Sequence, residues 1–355
     1  MKRIGRKIFV IAFFIICLIP IGCMGFVSSD LEENRSLSEW PVWTSEDGNW
    51  NQNFFNEVQT YVAEHFAFRS QLVELDSRLK YTLLHSPSDE QVVLGKDGWL
   101  FFDATLDDFA GVTLTAEEIG QIADKLSRVC DYIEEQGKEP LLLLVPNKNS
   151  VYPEYMPSRF GSGAQITNLT LLQEAFVEKG VPYVDARKTL IDGKELDELY
   201  LHKDTHWNDT GARLVMNQIF AAWGMEDSFT LDGYTVEAVH EPDLYNMLFP
   251  TDDYLEEQHV YPDKEADFSY VGRVRSMDDL TIKTTSEKGN GKSVLVYRDS
   301  FGRAMIPYMG NIFDNCTFNR STPYDLSLVE EVDCDYVLIE IVERNIPDLG
   351  DIEVE

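Results

Sequence analysis

Three hydrophobic rhythms succeed one another along this chain. Ile8 to Val27 is an unbroken uncharged, mainly apolar run. Phe54, Phe55, Val58, Tyr61, Val62 and Phe66 then recur at helical spacing, as do Leu72, Leu75, Leu79, Leu83 and Leu84, predicting two amphipathic helices with a break near Phe66-Ala67-Phe68-Arg69. Val92-Val93-Leu94 and Trp99-Leu100-Phe101-Phe102, on either side of Lys96-Asp97-Gly98, read as two strands and a turn. From about residue 115 helix and strand alternate. Ala116 to Gly137 carries Ile119, Ile122, Leu126, Val129 and Ile133 on one face, and Pro140 to Pro146 is a short, fully apolar run. A helix over Leu169–Gly180, a strand at Val181–Asp185, a helix after His206, a strand at Ser293–Tyr297 and another at Tyr336–Val342 complete the series. Apolar strands alternating with helices predict an α/β fold, a parallel sheet covered by helices on both faces as an α/β/α sandwich. Residues 225 to 290 show no order beyond tentative strands and an acidic stretch around Asp252 to Asp267.

The first run changes the picture most. At ~1.5 Å per residue it is long enough for a bilayer core of ~30 Å. Lys2, Arg3, Arg6 and Lys7 precede it and acidic residues follow it, which puts the N-terminus in the cytoplasm and the remainder outside. No Ala-x-Ala site follows, and Pro20-Ile21-Gly22-Cys23 has Pro where a lipoprotein site has Leu. The expectation is an uncleaved single-pass anchor over residues 1–29, with the protein secreted if that segment is cleaved. A linker and helical region over 30–90 then precedes the main domain over 91–355. The formal charge of −32 argues against a nucleic-acid partner and against adsorption of the folded part to anionic lipid. Of five cysteines, Cys130, Cys316 and Cys334 lie in the exported part. Their odd number and spacing predict buried apolar residues rather than a disulfide framework, with a Cys316–Cys334 pair as the alternative.

The chemistry concentrates in two short stretches. Lys203-Asp204-Thr205-His206-Trp207-Asn208 sets a carboxylate two residues before an imidazole, in a loop feeding a helix that Asn208 or Asp209 caps. Tyr297-Arg298-Asp299-Ser300-Phe301-Gly302 sets a serine just after a strand, with Gly302 expected to permit the tight turn. A hydroxyl needs an adjacent base, and the base an orienting group, to act as a nucleophile near neutral pH. Asp204, His206 and Ser300 are those three types and point to acyl transfer. Asp299 is the alternative carboxylate, disfavoured because its position on the turn sends its side chain elsewhere. The amide after Ser300, Gly302 and the Asn147 side chain are the oxyanion candidates, with Asn147 equally suited to capping the strand-end loop. Trp207 either offers a ring face for stacking on substrate or packs in the core. Glu340 and Arg344 read as a surface pair. A metal held by His202 and His206, four apart with Asp204 between them, would need a third ligand from elsewhere, so neither metal nor cofactor is expected.

Glu33-Asn34-Arg35, Asp97-Gly98-Trp99-Leu100-Phe101, Val145-Pro146-Asn147-Lys148, Lys203-Asp204-Thr205-His206-Trp207 and Arg298-Asp299-Ser300-Phe301 occur in that order over some 300 residues. The series resembles the alginate O-acetyltransferase, AlgJ/AlgX-type SGNH-hydrolase-like proteins and their Gram-positive DHHW-type relatives. The resemblance implies an SGNH-hydrolase-like fold with permuted motif order, the Asp-x-His pair preceding the serine. It implies Ser300 as nucleophile, His206 as general base and Asp204 as its orienting carboxylate. It further implies O-acetyl transfer onto an extracytoplasmic polysaccharide beside a multi-spanning membrane O-acyltransferase. This chain has Asp-Thr-His-Trp where the DHHW name implies a second His, and no evident carbohydrate-binding module follows, which leaves the acceptor open. The alternatives are an acetyl esterase using the same triad, and a non-catalytic polysaccharide-binding scaffold for the membrane acyltransferase.

Overall fold

The computed structural model describes residues 2–24, 38–44, 49–226, 228–264 and 267–352. The chain divides into two compact units, Met1–Asp89 with Tyr245–Asp253, and Glu90–Leu244 with Tyr254–Glu355. In the smaller unit the two predicted amphipathic helices are Phe54–His65 and Arg69–Leu79, the second prolonged by a π-helical turn over Lys80–Leu84. Phe68, at φ 62°, makes the break between them. The segment Tyr245–Asp253 groups here through side chains that residues 30–90 alone do not supply. Glu74 accepts from the Thr251 hydroxyl, and Arg78 pairs with Asp252 at 2.8 Å.

Lys2–Cys23 forms a helix with Pro20 inside it. The expected anchor Ile8–Val27 is described only in part. Residues 25–27 and the side chains of Ile8, Ala12, Ile16, Cys17 and Ile21 lie outside the described residues. Among the described residues no helix is long and apolar enough to cross a membrane.

The larger unit is built on a seven-stranded sheet. Its strands in chain order are β1 (Glu139–Val145), β2 (Tyr183–Asp185), β3 (Phe268–Tyr270), β4 (Thr281–Ser286), β5 (Ser293–Tyr297), β6 (Asn315–Asn319) and β7 (Tyr336–Val342). Across the sheet they run β2-β1-β7-β5-β6-β4-β3. The five strands β2, β1, β7, β5 and β6 are parallel, whereas β4 and β3 are antiparallel to their neighbours. The sheet is therefore mixed, a correction to the purely parallel one expected. The reason is the length of the connections. Only residues 287–292 join β4 to β5, and a parallel return needs a crossover of about a dozen residues or more.

Alternation along the strands builds two cores, one on each face. Leu142, Leu144, Leu295, Tyr297, Val337 and Ile339 pack with Ile122, Leu126, Val129, Leu172 and Phe176 from the helices Ala116–Glu135 and Asn168–Lys179. Leu141, Leu143, Val294, Val296 and Leu338 pack on the other face with Val215, Ile219 and Phe220 of the helix Asp209–Ala222. Thr115 and Glu118 form a reciprocal capping box that starts the first of these helices. The predicted hairpin is present as Val92–Leu94 and Leu100–Phe102, turning through left-handed Asp97 and Gly98. Cys130, Cys316 and Cys334 are buried free thiols, so the alternative Cys316–Cys334 disulfide is not formed. Residues 225 to 290 contain β3, β4 and a separate antiparallel pair, Thr235–His240 with Glu256–Val260.

Candidate active site

Ser300 stands three residues beyond β5, at the C-terminal edge of the parallel strands, where ligands bind in open α/β sheets. The turn is shaped by its neighbours. The Asp299 carboxylate accepts from the Phe301 amide at 2.8 Å and from the Val342 amide at the end of β7 at 2.8 Å. It is thereby turned away from His206, and Asp204 occupies the place beside the imidazole. Gly302 is needed for close approach rather than for its backbone angle. A Cβ there would lie 2.6 Å from the Arg298 Cβ and 3.1 Å from Glu340 Oε2. Glu340, fully buried on β7, accepts the Asp299 amide at 3.0 Å. Burial and the Asp299 charge push its carboxyl well above the usual range.

His206 sits in the loop 199–208, held by charges of both signs. The buried Lys148 ammonium donates to the carbonyl oxygens of Leu201 (3.0 Å), His202 (3.1 Å) and Asp204 (2.5 Å). Glu256 accepts the amides of His202 (2.5 Å) and Lys203 (3.0 Å). Asp243 accepts the Thr205 amide at 2.8 Å and its hydroxyl at 2.6 Å. Burial lowers Lys148 to about 8, against the attraction of Asp204, Asp243 and Glu256. Asn208 caps the following helix, its side chain accepting the Gly211 amide at 2.9 Å. Trp207 Nε1 donates to the Phe301 carbonyl at 3.0 Å, so the residue after the histidine grips the residue after the serine.

These supports bring the three sequence-predicted residues into one chain of hydrogen bonds. His206 Nε2 lies 2.8 Å from Ser300 Oγ, and His206 Nδ1 lies 2.6 Å from Asp204 Oδ1. Asp204 Oδ1 also accepts the His206 amide at 2.8 Å, while Oδ2 accepts from the Asp243 amide at 2.8 Å and meets His240 Nε2 at 2.9 Å. Burial works to raise the Asp204 carboxyl, but the hydrogen bonds and charges of His206 and His240 outweigh it and hold it well below the usual range. Asp204, His206 and Asp243 offer ligand atoms within 4.8 Å of one another. Each also takes part in hydrogen bonds, Asp204 with His206 and His240, and Asp243 with Thr205. His202 is stacked on Trp99 at 4.3 Å between ring centres and bonded to Glu198, away from that cluster.

The structure decides the alternatives left open for Asn147 and Trp207, and corrects the readings of the Phe301 amide and of Glu340 with Arg344. Asn147 is fully buried and its Nδ2 donates to Asp108 at 2.9 Å, which fixes the loop after β1 rather than presenting a donor to Ser300. The amide after Ser300 is likewise taken, by Asp299. Trp207 is 2% exposed and offers no ring face to a sugar. Glu340 and Arg344 form no surface pair: Glu340 is buried, and the Arg344 guanidinium lies over the rings of Phe102 and Phe301, at 5.7 and 5.4 Å. The residues that sequence reasoning missed, Lys148, His240, Asp243 and Glu256, all act on the Asp204–His206 loop from segments distant in the chain. Only Lys148, in the Val145-Pro146-Asn147-Lys148 stretch just past β1, carried a local signal.

The α/β fold, with serine, histidine and aspartate together at the carboxyl edge of its mixed sheet, is SGNH-hydrolase-like. A family model described as "SGNH hydrolase-like domain, acetyltransferase AlgX" matches residues 92–258, which include Asp204 and His206 and stop short of Ser300. The probable alginate O-acetylase AlgJ of Pseudomonas syringae pv. tomato is 26% identical over 217 residues, 61% of this chain and 52% of that protein. That of Pseudomonas aeruginosa is 25% identical over 229 residues, 60% and 55% of the two chains. The chain thus spans about half the length of the curated relatives it matches. The structure of Bacillus cereus PatB1 with sulfonyl adduct shares the fold, with a TM-score of 0.55 and 17% identity over 75% of this chain and 99% of that one. Over these stretches the chain is similar to the AlgJ/AlgX-type SGNH-hydrolase-like proteins.

Proposed function

We propose that this protein is an extracytoplasmic polysaccharide O-acetyltransferase working through an acetyl-serine at Ser300. The observation that carries the reading is the unbroken contact chain Ser300 Oγ–His206 Nε2 (2.8 Å) and His206 Nδ1–Asp204 Oδ1 (2.6 Å). With its proton on Nδ1 toward Asp204, His206 presents a bare Nε2 to the hydroxyl. Ser300 Oγ attacks the carbonyl carbon of an acetyl ester while Nε2 takes its proton. The tetrahedral adduct collapses, the C–O bond to the donor breaks, and His206 returns the proton to the departing alkoxide. A sugar hydroxyl then gives its proton to His206 and attacks the acetyl-serine; as the acyl C–O bond to Oγ breaks, His206 hands that proton to Ser300 Oγ, which releases acetylated glycan and restores the enzyme. Asp204 stabilises the imidazolium formed in both halves. With the Phe301 amide and the Asn147 side chain occupied, the Gly302 amide is our assignment for the oxyanion donor. The apolar run Ile8–Val27 is proposed to tether the enzyme at the outer face of the cell membrane, next to a multi-spanning O-acyltransferase that delivers acetyl groups.

The test is turnover of a chromogenic acetyl ester by the full chain, with and without a glycan acceptor, beside Ser300→Ala. The expected outcome is a fall in kcat of about a million-fold in the variant, and acetylated glycan in the wild-type product. Hydrolysis without acetylated glycan would assign the same triad to an esterase. Equal turnover by both proteins would remove Ser300 from the mechanism.

A further inference from the structure

His240 lies outside every motif of the sequence and yet touches the central carboxylate. Its strand, Thr235–His240, is exposed at each position except His240 itself. The pairing with Glu256–Val260 explains why. Ala238 pairs with Glu257 and His240 with Glu256, so Val239 is an extra residue in a β-bulge. A bulge re-aims the side chain that follows it, and here it turns one imidazole inward until Nε2 stands 2.9 Å from Asp204 Oδ2. The two Asp204 oxygens are then gripped from both sides, Oδ1 by His206 and Oδ2 by His240 and the Asp243 amide.

Resting on the triad reading above, we propose that His240 is a positioning residue of the relay, clamping the outer oxygen of Asp204 and setting the pH range in which His206 works as a base. The groups facing His240 are Asp204, Glu256 on the paired strand and Asp243 on the next helix, with Lys148 bonded to the Asp204 carbonyl oxygen. Burial works to lower His240, but the hydrogen bond and charge of Asp204, with Glu256 and Asp243, raise it above the usual histidine range. An imidazolium at His240 competes with His206 for the charge of Asp204. It thereby extends activity toward lower pH. The clamp also has a stability consequence. A raised His240 contributes stability that is full below about pH 6.5, the ordinary histidine value, and that is lost as pH rises through its folded value.

Two readouts on the full chain test this. In ester hydrolysis, His240→Ala is expected to lower kcat about tenfold with KM within about twofold, because Asp204 Oδ2 keeps only the Asp243 amide. His240→Gln keeps a donor without charge. It is expected to recover most of kcat, yet to move the acid limb of kcat/KM upward by roughly half to one pH unit. Equal impairment of both variants with an unmoved limb, or wild-type behaviour in both, overturns the proposal. Ring NMR titration of His240 does not depend on activity. It is expected to fall in Asp204→Asn, and an unchanged titration overturns the clamp even if Ser300→Ala shows that the chain is no serine enzyme.

Discussion

Asp204 accepts four hydrogen bonds on two oxygens, and the single carboxylate shows how far residue type alone carries an argument. The triad of types was legible from Asp204-Thr205-His206 and Ser300 because each member lies in a short motif with its own local grammar. The partners that orient them were not. Gly302 was expected for its backbone freedom, but its use is the absence of a Cβ against Arg298 and Glu340, a packing fact with no local signature. Lys148 is the sharpest case at this scale. An ammonium 4% exposed that serves three backbone carbonyls cannot be replaced by an apolar chain of similar length without leaving acceptors unpaired. Lys148→Met is expected to cost about 2–4 kcal/mol of stability and to lower kcat with little change in KM. Denaturant unfolding and ester kinetics on the same preparation check both, and a variant with wild-type stability and kcat would contradict the assignment.

At the scale of elements, local pattern served well wherever a helix or strand buries one continuous face. The strands β1, β5 and β7 are nearly all apolar, and the helix Ala116–Glu135 carries both its cap and its stripe in its own residues. Pattern failed for β4, where Ile282, Thr284 and Ser286 are buried and the residues between them exposed. Alternation is present there, but hydroxyl side chains on the buried side hide it. The loop 199–208 is an element in its own right, closed by the Tyr200–Trp207 bridge. It passes so near the next helix that a Cβ on Gly211 would stand 2.4 Å from the Leu199 carbonyl oxygen. Gly211→Ala must therefore displace either the loop or the helix start. The expected result is a loss of more than about tenfold in kcat with the helical circular dichroism retained. Full activity would show that the loop tolerates the shift.

Across the whole molecule, the chain returns to the middle of its sheet last. β7, the final strand, lies between β1 and β5, so three strands separated by up to two hundred residues of sequence meet at the carboxyl edge. That order brings Glu340 and the Val342 amide beneath the serine turn. At the same scale stands the proposed tether. Full-length protein is expected to float with phospholipid vesicles on a density gradient, and a chain lacking residues 2–29 to remain in the soluble fraction. Flotation of neither, or of both alike, would remove the Ile8–Val27 tether from the proposal.

Sequence alone determined the α/β class, the main helices and strands of the larger unit, and the three residue types of the relay, because each is written in contiguous residues. Tertiary structure alone decided the mixed sheet, the commitment of Asn147 and Trp207 to support rather than to substrate, and the second imidazole on Asp204. These depend on connection length, on burial, and on contacts such as His240 with Asp204, made across a bulge between residues with no shared local pattern. Hydrophobic periodicity records which face of an element is buried. It holds no record of which distant charge will be waiting there.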